Sequence, residues 1–86
     1  EVMLKAILEN QIEITTYGYL SELLKEEGFE NYSLKNAKSD LAKLQITKRR
    51  DKSKKPMQIH IDLNRASKRA ESRGLTWKNP KTDTQN

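Results

Sequence analysis

Residues 33–61 read SLKNAKSDLAKLQITKRRDKSKKPMQIHI, and two periodicities meet inside that stretch. In its first part Leu34, Ala37, Leu41 and Leu44 recur at spacings of three, four and three, which predicts a helix over 34–44 with those side chains buried. Ser33 stands just before it as an N-cap, where a hydroxyl accepts an orphan amide of the first turn. The other side of the helix carries Lys35, Asn36, Ser39 and Lys43, with Lys38 at the flank and one acid, Asp40, at the margin. Further on the period becomes two: Met57, Ile59 and Ile61 alternate with Gln58 and His60. Together with Ile46 this predicts a β-hairpin over 46–61, rooted in the core by Ile46, Ile59 and Ile61. Six of the eight residues from Lys48 to Lys55 are basic, namely Lys48, Arg49, Arg50, Lys52, Lys54 and Lys55. A tip so charged must project into water, and Pro56 limits the strand on that side.

Upstream, Val2, Leu4, Ile7 and Leu8 predict a short helix over 2–9. The alternation from Gln11 to Thr15 predicts a strand over 12–15. Thr15 or Thr16 then caps a second helix over 16–27, with Tyr17, Leu20, Leu23 and Leu24 on its apolar side and Gly28 at its left-handed end. Phe29 is expected as a core plug, and Glu30, Asn31 and Tyr32 make a turn. Downstream, Asp62 or Asn64 caps a last helix over 65–73, closed by Gly74. Its apolar content is thin: Leu63, Ala66 and Ala70, then Leu75 and Trp77, the last expected to cover the edge of the core. The tail 79–86 offers little to bury and is expected to be disordered.

With 86 residues the chain has room for one small domain, taken as 1–78, and an equal share of apolar and charged residues, 34% each, keeps its core lean. It has no cysteine, which excludes disulfides and thiolate zinc sites, and a single histidine, His60. No glycine-rich phosphate loop, metal-ligand spacing or nucleophile–histidine set is present, so neither enzymatic activity nor a metal or other cofactor is expected. No apolar run reaches the roughly 18 residues of a membrane span, and a cytoplasmic location is expected, nucleoid-associated in a bacterium. Residue 1 is glutamate rather than methionine, the pattern expected of a segment of a longer chain. Charge is divided sharply: residues 1–34 carry a net −5 and residues 35–86 a net +10. A basic segment of that density is a candidate footprint for a polyanion, although a charged run also serves as a simple solvated face.

The order helix, short strand, helix, helix, strand, basic loop, strand over 2–61 resembles the winged helix-turn-helix family of DNA-binding domains. The resemblance implies a small α+β fold in which a three-helix core carries a β-hairpin wing, here 46–61, with the C-terminal helix at about 63–73 as an addition. It also implies that the third helix enters the major groove and that the wing meets the adjacent backbone or minor groove. Double-stranded DNA is therefore the expected partner, bound with or without sequence specificity, in transcriptional regulation or as an accessory to replication or to plasmid and phage maintenance. Carried onto this sequence, the contacts fall to Lys35, Asn36, Lys38, Ser39 and Lys43 on the helix and to Lys48, Arg49, Arg50, Lys52, Lys54 and Lys55 on the wing. The chemistry of these residues agrees: an amide can pair with adenine, lysine with guanine or phosphate, and arginine with phosphate forks. Glu22, Glu26 and Glu27 are expected to face away from the duplex.

Two other readings compete. A winged-helix protein-interaction module would use the same basic surface to hold an acidic partner. Single-stranded DNA or RNA binding needs aromatic platforms, and none lies between Leu34 and Thr76. His60 reads as an outward strand residue, and Tyr19 as exposed. Ala66 and Ala70 would let a second helix approach closely, or equally mark a weakly packed terminal helix, and a homodimer or protein partner is sought at the first or the C-terminal helix.

Overall fold

A computed structural model describes residues 2–77 of the chain. They form a small α+β arrangement: α1 (Val2–Glu9), β1 (Ile14–Thr15), α2 (Tyr17–Glu26), α3 (Leu34–Leu44), β2 (Thr47–Asp51), β3 (Gln58–Ile61) and α4 (Leu63–Ser72). The strands make one antiparallel sheet in the order β1-β3-β2. Alternation along β3 buries Ile59 and Ile61 beneath the helices, and Ile46 just before β2 is buried with them. Met3, Leu4 and Ile7 of α1 and Leu20 and Leu24 of α2 meet these isoleucines in one core. Each large side chain removed from water there contributes roughly 1.5–3 kcal/mol. The expected tail 79–86 lies outside the described residues.

Three of the helices end by the same backbone device, in which a residue with positive φ turns the chain back and two amides cap the last turn. In α2 the residue is Gly28, with φ 105°, and the amides of Gly28 and Phe29 donate to the carbonyls of Lys25 and Leu24. In α4 it is Gly74, with Leu75 donating to Ala70. In α1 it is Gln11, with φ 50°, and Ile12 donates to Ile7. This device accounts for two departures from the sequence reading. Ile12 is drawn back onto α1 and buried, so β1 begins only at Ile14; Phe29 sits on the closing turn of α2 with 44% of its surface exposed, not in the core.

Helix α3 begins as its sequence predicts. Ser33 Oγ accepts from the Asn36 amide, while Asn36 Oδ1 accepts from the Ser33 amide, a reciprocal capping box. Its buried stripe is Ala37, Leu41 and Leu44; Leu34, expected to complete it, is 54% exposed because the first turn of α3 rides past the end of the core beside Gly18 of α2. The far end of α3 is closed from another element. Gln45 adopts the left-handed conformation, and Arg69 of α4 donates from Nε to the Leu44 carbonyl at 3.0 Å and from Nη2 to Gln45 Oε1 at 3.0 Å. Arg65 adds a longer bond, 3.4 Å, to the Gln45 carbonyl. Guanidinium groups at a helix C-terminus both satisfy orphan carbonyls and complement the negative end of the helix dipole.

Helix α4 starts at Leu63, because, of the two expected caps, it is Asp62 that serves, accepting from the Arg65 amide. Ala66 and Ala70 are fully buried and α4 packs on α1, so the small-residue face expected to receive a second copy is occupied within the chain. Trp77 rests half-buried against the core, as expected. Replacing Arg69 by Met keeps the aliphatic stem and removes the bonds to α3. Urea denaturation of Arg69→Met is expected to show a loss of about 1–3 kcal/mol, against a change within about 0.5 kcal/mol for Lys68→Met at the exposed neighbouring position.

Candidate nucleic-acid interface

The exposed side of α3 is set by its buried stripe: with Ala37, Leu41 and Leu44 inside, Lys35, Ser39, Ala42 and Lys43 point outward. Lys38 lies on the flank nearest the hairpin and α2, where its Nζ sits 5.6 Å from the centre of the Tyr17 ring. Asn36 is exposed on the other flank, beside the turn that holds Phe29 and Tyr32. Its carbonyl oxygen accepts from both the amide and the hydroxyl of Ser33, at 3.0 and 2.8 Å. Bidentate pairing with adenine would need that same oxygen, so Asn36 works first as a helix cap.

The hairpin stands beside α3 with Lys48, Arg49, Arg50, Lys52, Lys54 and Lys55 all exposed. Its register divides them. Arg50 pairs with Ile59 and so shares the sheet face that carries the helices, whereas Arg49 pairs with His60 on the opposite face. Lys48 is the extra residue at a shift in register between Thr47 and Arg49. His60 lies on that outward face, as expected, but half-buried between Arg49 and Ile14, and its Nε2 is shut off from solvent with no hydrogen-bond partner among the described residues.

Between the first turn of α3, the start of α2 and the segment that leads from the hairpin tip into β3 runs a groove of about 410 Å³. Tyr17, Leu34, Pro56 and Met57 give it an apolar floor, and Lys35 and Lys38 stand along it. None of the four floor residues was singled out by the sequence for this surface. They belong to three segments distant along the chain, and only Met57 carried a clear strand pattern. Tyr17 is also the aromatic that the basic segment lacks, supplied from α2.

The two acids within the basic stretch 35–61 are both held by hydrogen bonds. Asp40 accepts from the Tyr32 hydroxyl. Asp51 accepts from the amide and hydroxyl of Ser53 at the hairpin tip, at 3.1 and 2.5 Å, and these bonds hold its carboxyl below the usual range. Glu22 lines a depression shared with Ser33 and Lys35 at the start of α3 and forms an ion pair with Lys25 at 3.8 Å. Among the described residues no group of three or more His, Cys, Asp or Glu is placed to hold a metal ion, and no helix is long and apolar enough to cross a membrane. Comparison of the chain with protein-family models, with curated proteins and with solved structures finds no match.

Burial raises the Tyr32 pKa far above its ordinary value, and the hydrogen bond to Asp40 and that group's charge add to the rise. The folded chain therefore favours the neutral phenol, whereas the unfolded tyrosine ionises near pH 10. The stabilisation is whole below that pH and is lost as pH climbs toward the raised folded value. The stability difference between the chain and Tyr32→Phe, followed by denaturant midpoints, is expected to be greatest near neutrality and to shrink above about pH 10.

Proposed function

We propose that this chain is a winged-helix module that binds double-stranded DNA, with α3 in the major groove and the hairpin as a wing against the neighbouring backbone. The observation that carries the reading is the juxtaposition of two exposed cationic elements, α3 and the β2–β3 hairpin, whose only intervening acids, Asp40 and Asp51, are bound up in hydrogen bonds. Lys35, Lys38 and Lys43 are placed to reach phosphates or guanine edges, and Ser39 and Ala42 are short enough to let the helix approach closely. Arg50 lies on the wing face turned toward the helices, where it would meet the same strand as Lys38. Arg49 and the tip lysines would follow the backbone beyond. Asn36 serves chiefly by fixing the first turn of α3. Glu22 and Lys25 lie at the margin of this surface, where the ion pair moderates the repulsion of phosphate by Glu22.

Fluorescence anisotropy with a labelled mixed-sequence duplex and its single strand tests the reading. Neutralising six to eight phosphates gives a log–log salt slope of roughly −5 to −7 on the duplex, with weaker binding to the single strand. The double variant Lys35→Glu/Lys38→Glu alters two exposed side chains and is expected to keep the circular dichroism spectrum. Its duplex affinity should fall by about a hundredfold at low salt, and the slope should lose about two units. Duplex binding that is unchanged in this variant, or tighter binding to the single strand, would overturn the proposal.

A further inference from the structure

A surface meant only for phosphates has no use for an apolar floor, yet the groove between α3 and the hairpin has one. Leu34 leaves 54% of its surface in water at the first position of α3, and Tyr17, Pro56 and Met57 extend the apolar surface beside it. One helical turn further along the same line is Lys38, and one turn beyond that is Ala42, also exposed. The edge of α3 that borders the groove thus presents apolar, cationic and apolar side chains in succession, with Lys35 beside the first. Cations on this rim select a polyanion, so the occupant of the apolar positions must be an apolar group carried by a polyanion. In the major groove of duplex DNA that group is the C5-methyl of thymine, the one apolar feature on a base edge there.

We infer that Leu34 is a specificity-determining residue that packs on thymine methyl groups, giving the module a preference for thymine where the start of α3 meets the major groove. The inference rests on the double-stranded DNA reading above. The lysines supply sequence-independent attraction, whereas Leu34 discriminates: a thymine methyl is sheltered against it, and a pyrimidine without the methyl leaves Leu34 wet.

Uracil differs from thymine only in lacking that methyl, so substitution preserves every hydrogen-bonding group and every phosphate. Two short alternating A·T duplexes, one with thymine and one with deoxyuridine throughout, are titrated by anisotropy at one salt concentration with the chain and with Leu34→Ala. The chain is expected to bind the thymine duplex tighter, by about fourfold for each methyl sheltered. Leu34→Ala is expected to retain its circular dichroism spectrum and salt slope and to lose most of that difference. Equal affinity of the unaltered chain for the two duplexes, or an undiminished difference in Leu34→Ala, would overturn the inference and leave the DNA reading standing. Failure of the unaltered chain to bind either duplex at low salt would overturn the DNA reading and this inference with it.

Discussion

The C-terminal end of α3 is held by arginines that lie twenty or more residues away along the chain, and the geometry of the cationic surface depends on that grip. The other helices close themselves with their own backbone; α3 ends on a left-handed glutamine with two carbonyls turned toward α4. The same junction carries Ile46, fully buried, whose carbonyl accepts from the Asp62 amide at 2.8 Å. Helix α3, the root of the hairpin and the start of α4 are therefore fastened at one joint, with the core isoleucine beneath it. Rotation of α3 against the hairpin would break charge-assisted hydrogen bonds and expose Ile46 together.

This joint also sorts the cations of the basic half. Arg69 is half-buried and satisfies the Leu44 carbonyl, whereas Arg65 reaches the Gln45 carbonyl from an exposed position, so the net positive charge of residues 35–86 overstates what α3 and the hairpin present. Among the described residues the densest exposed cations are those of the hairpin and α3, where Asp51, beside Arg49 and Lys54, offsets only part of their mutual repulsion. Proteins tolerate such repulsion at modest cost in high dielectric, and a bound polyanion removes it. Acids of the first half lie mostly on α1, α2 and the turn after α2, so the molecule approaches a charged partner with a preferred orientation.

Local pattern made most of this architecture legible. The stripe Ala37, Leu41 and Leu44, the Ser33 cap and the alternation Ile59-His60-Ile61 each rest on neighbours a few residues apart, and the structure places them as expected. The misread positions answer to distant partners or to helix ends. Phe29 and Ile12 follow from closing turns, and Leu34 from the point where α3 outruns the core. Nothing in the spacing marked Arg69 as a helix cap, because its acceptors arrive only when α3 and α4 pack. The charged residues of the candidate surface were visible as a run, but their division between two faces of the hairpin required the register, and the apolar groove required three segments to be brought together.

The position of β3 between its neighbours has one further effect. Its hydrogen-bonding groups face β1 on one side and β2 on the other, so the sheet ends in a strand of two residues and a strand reading Thr47-Lys48-Arg49-Arg50-Asp51. The first is too short to recruit a foreign strand, and the second is lined with cations that repel a copy of itself and interrupted by a shift in register. Both outer edges are thereby poor templates for cross-β growth. A hairpin this long and open can remain a single projecting arm in crowded solution, because the charge that would draw it toward a polyanion also keeps it from stacking on its own kind.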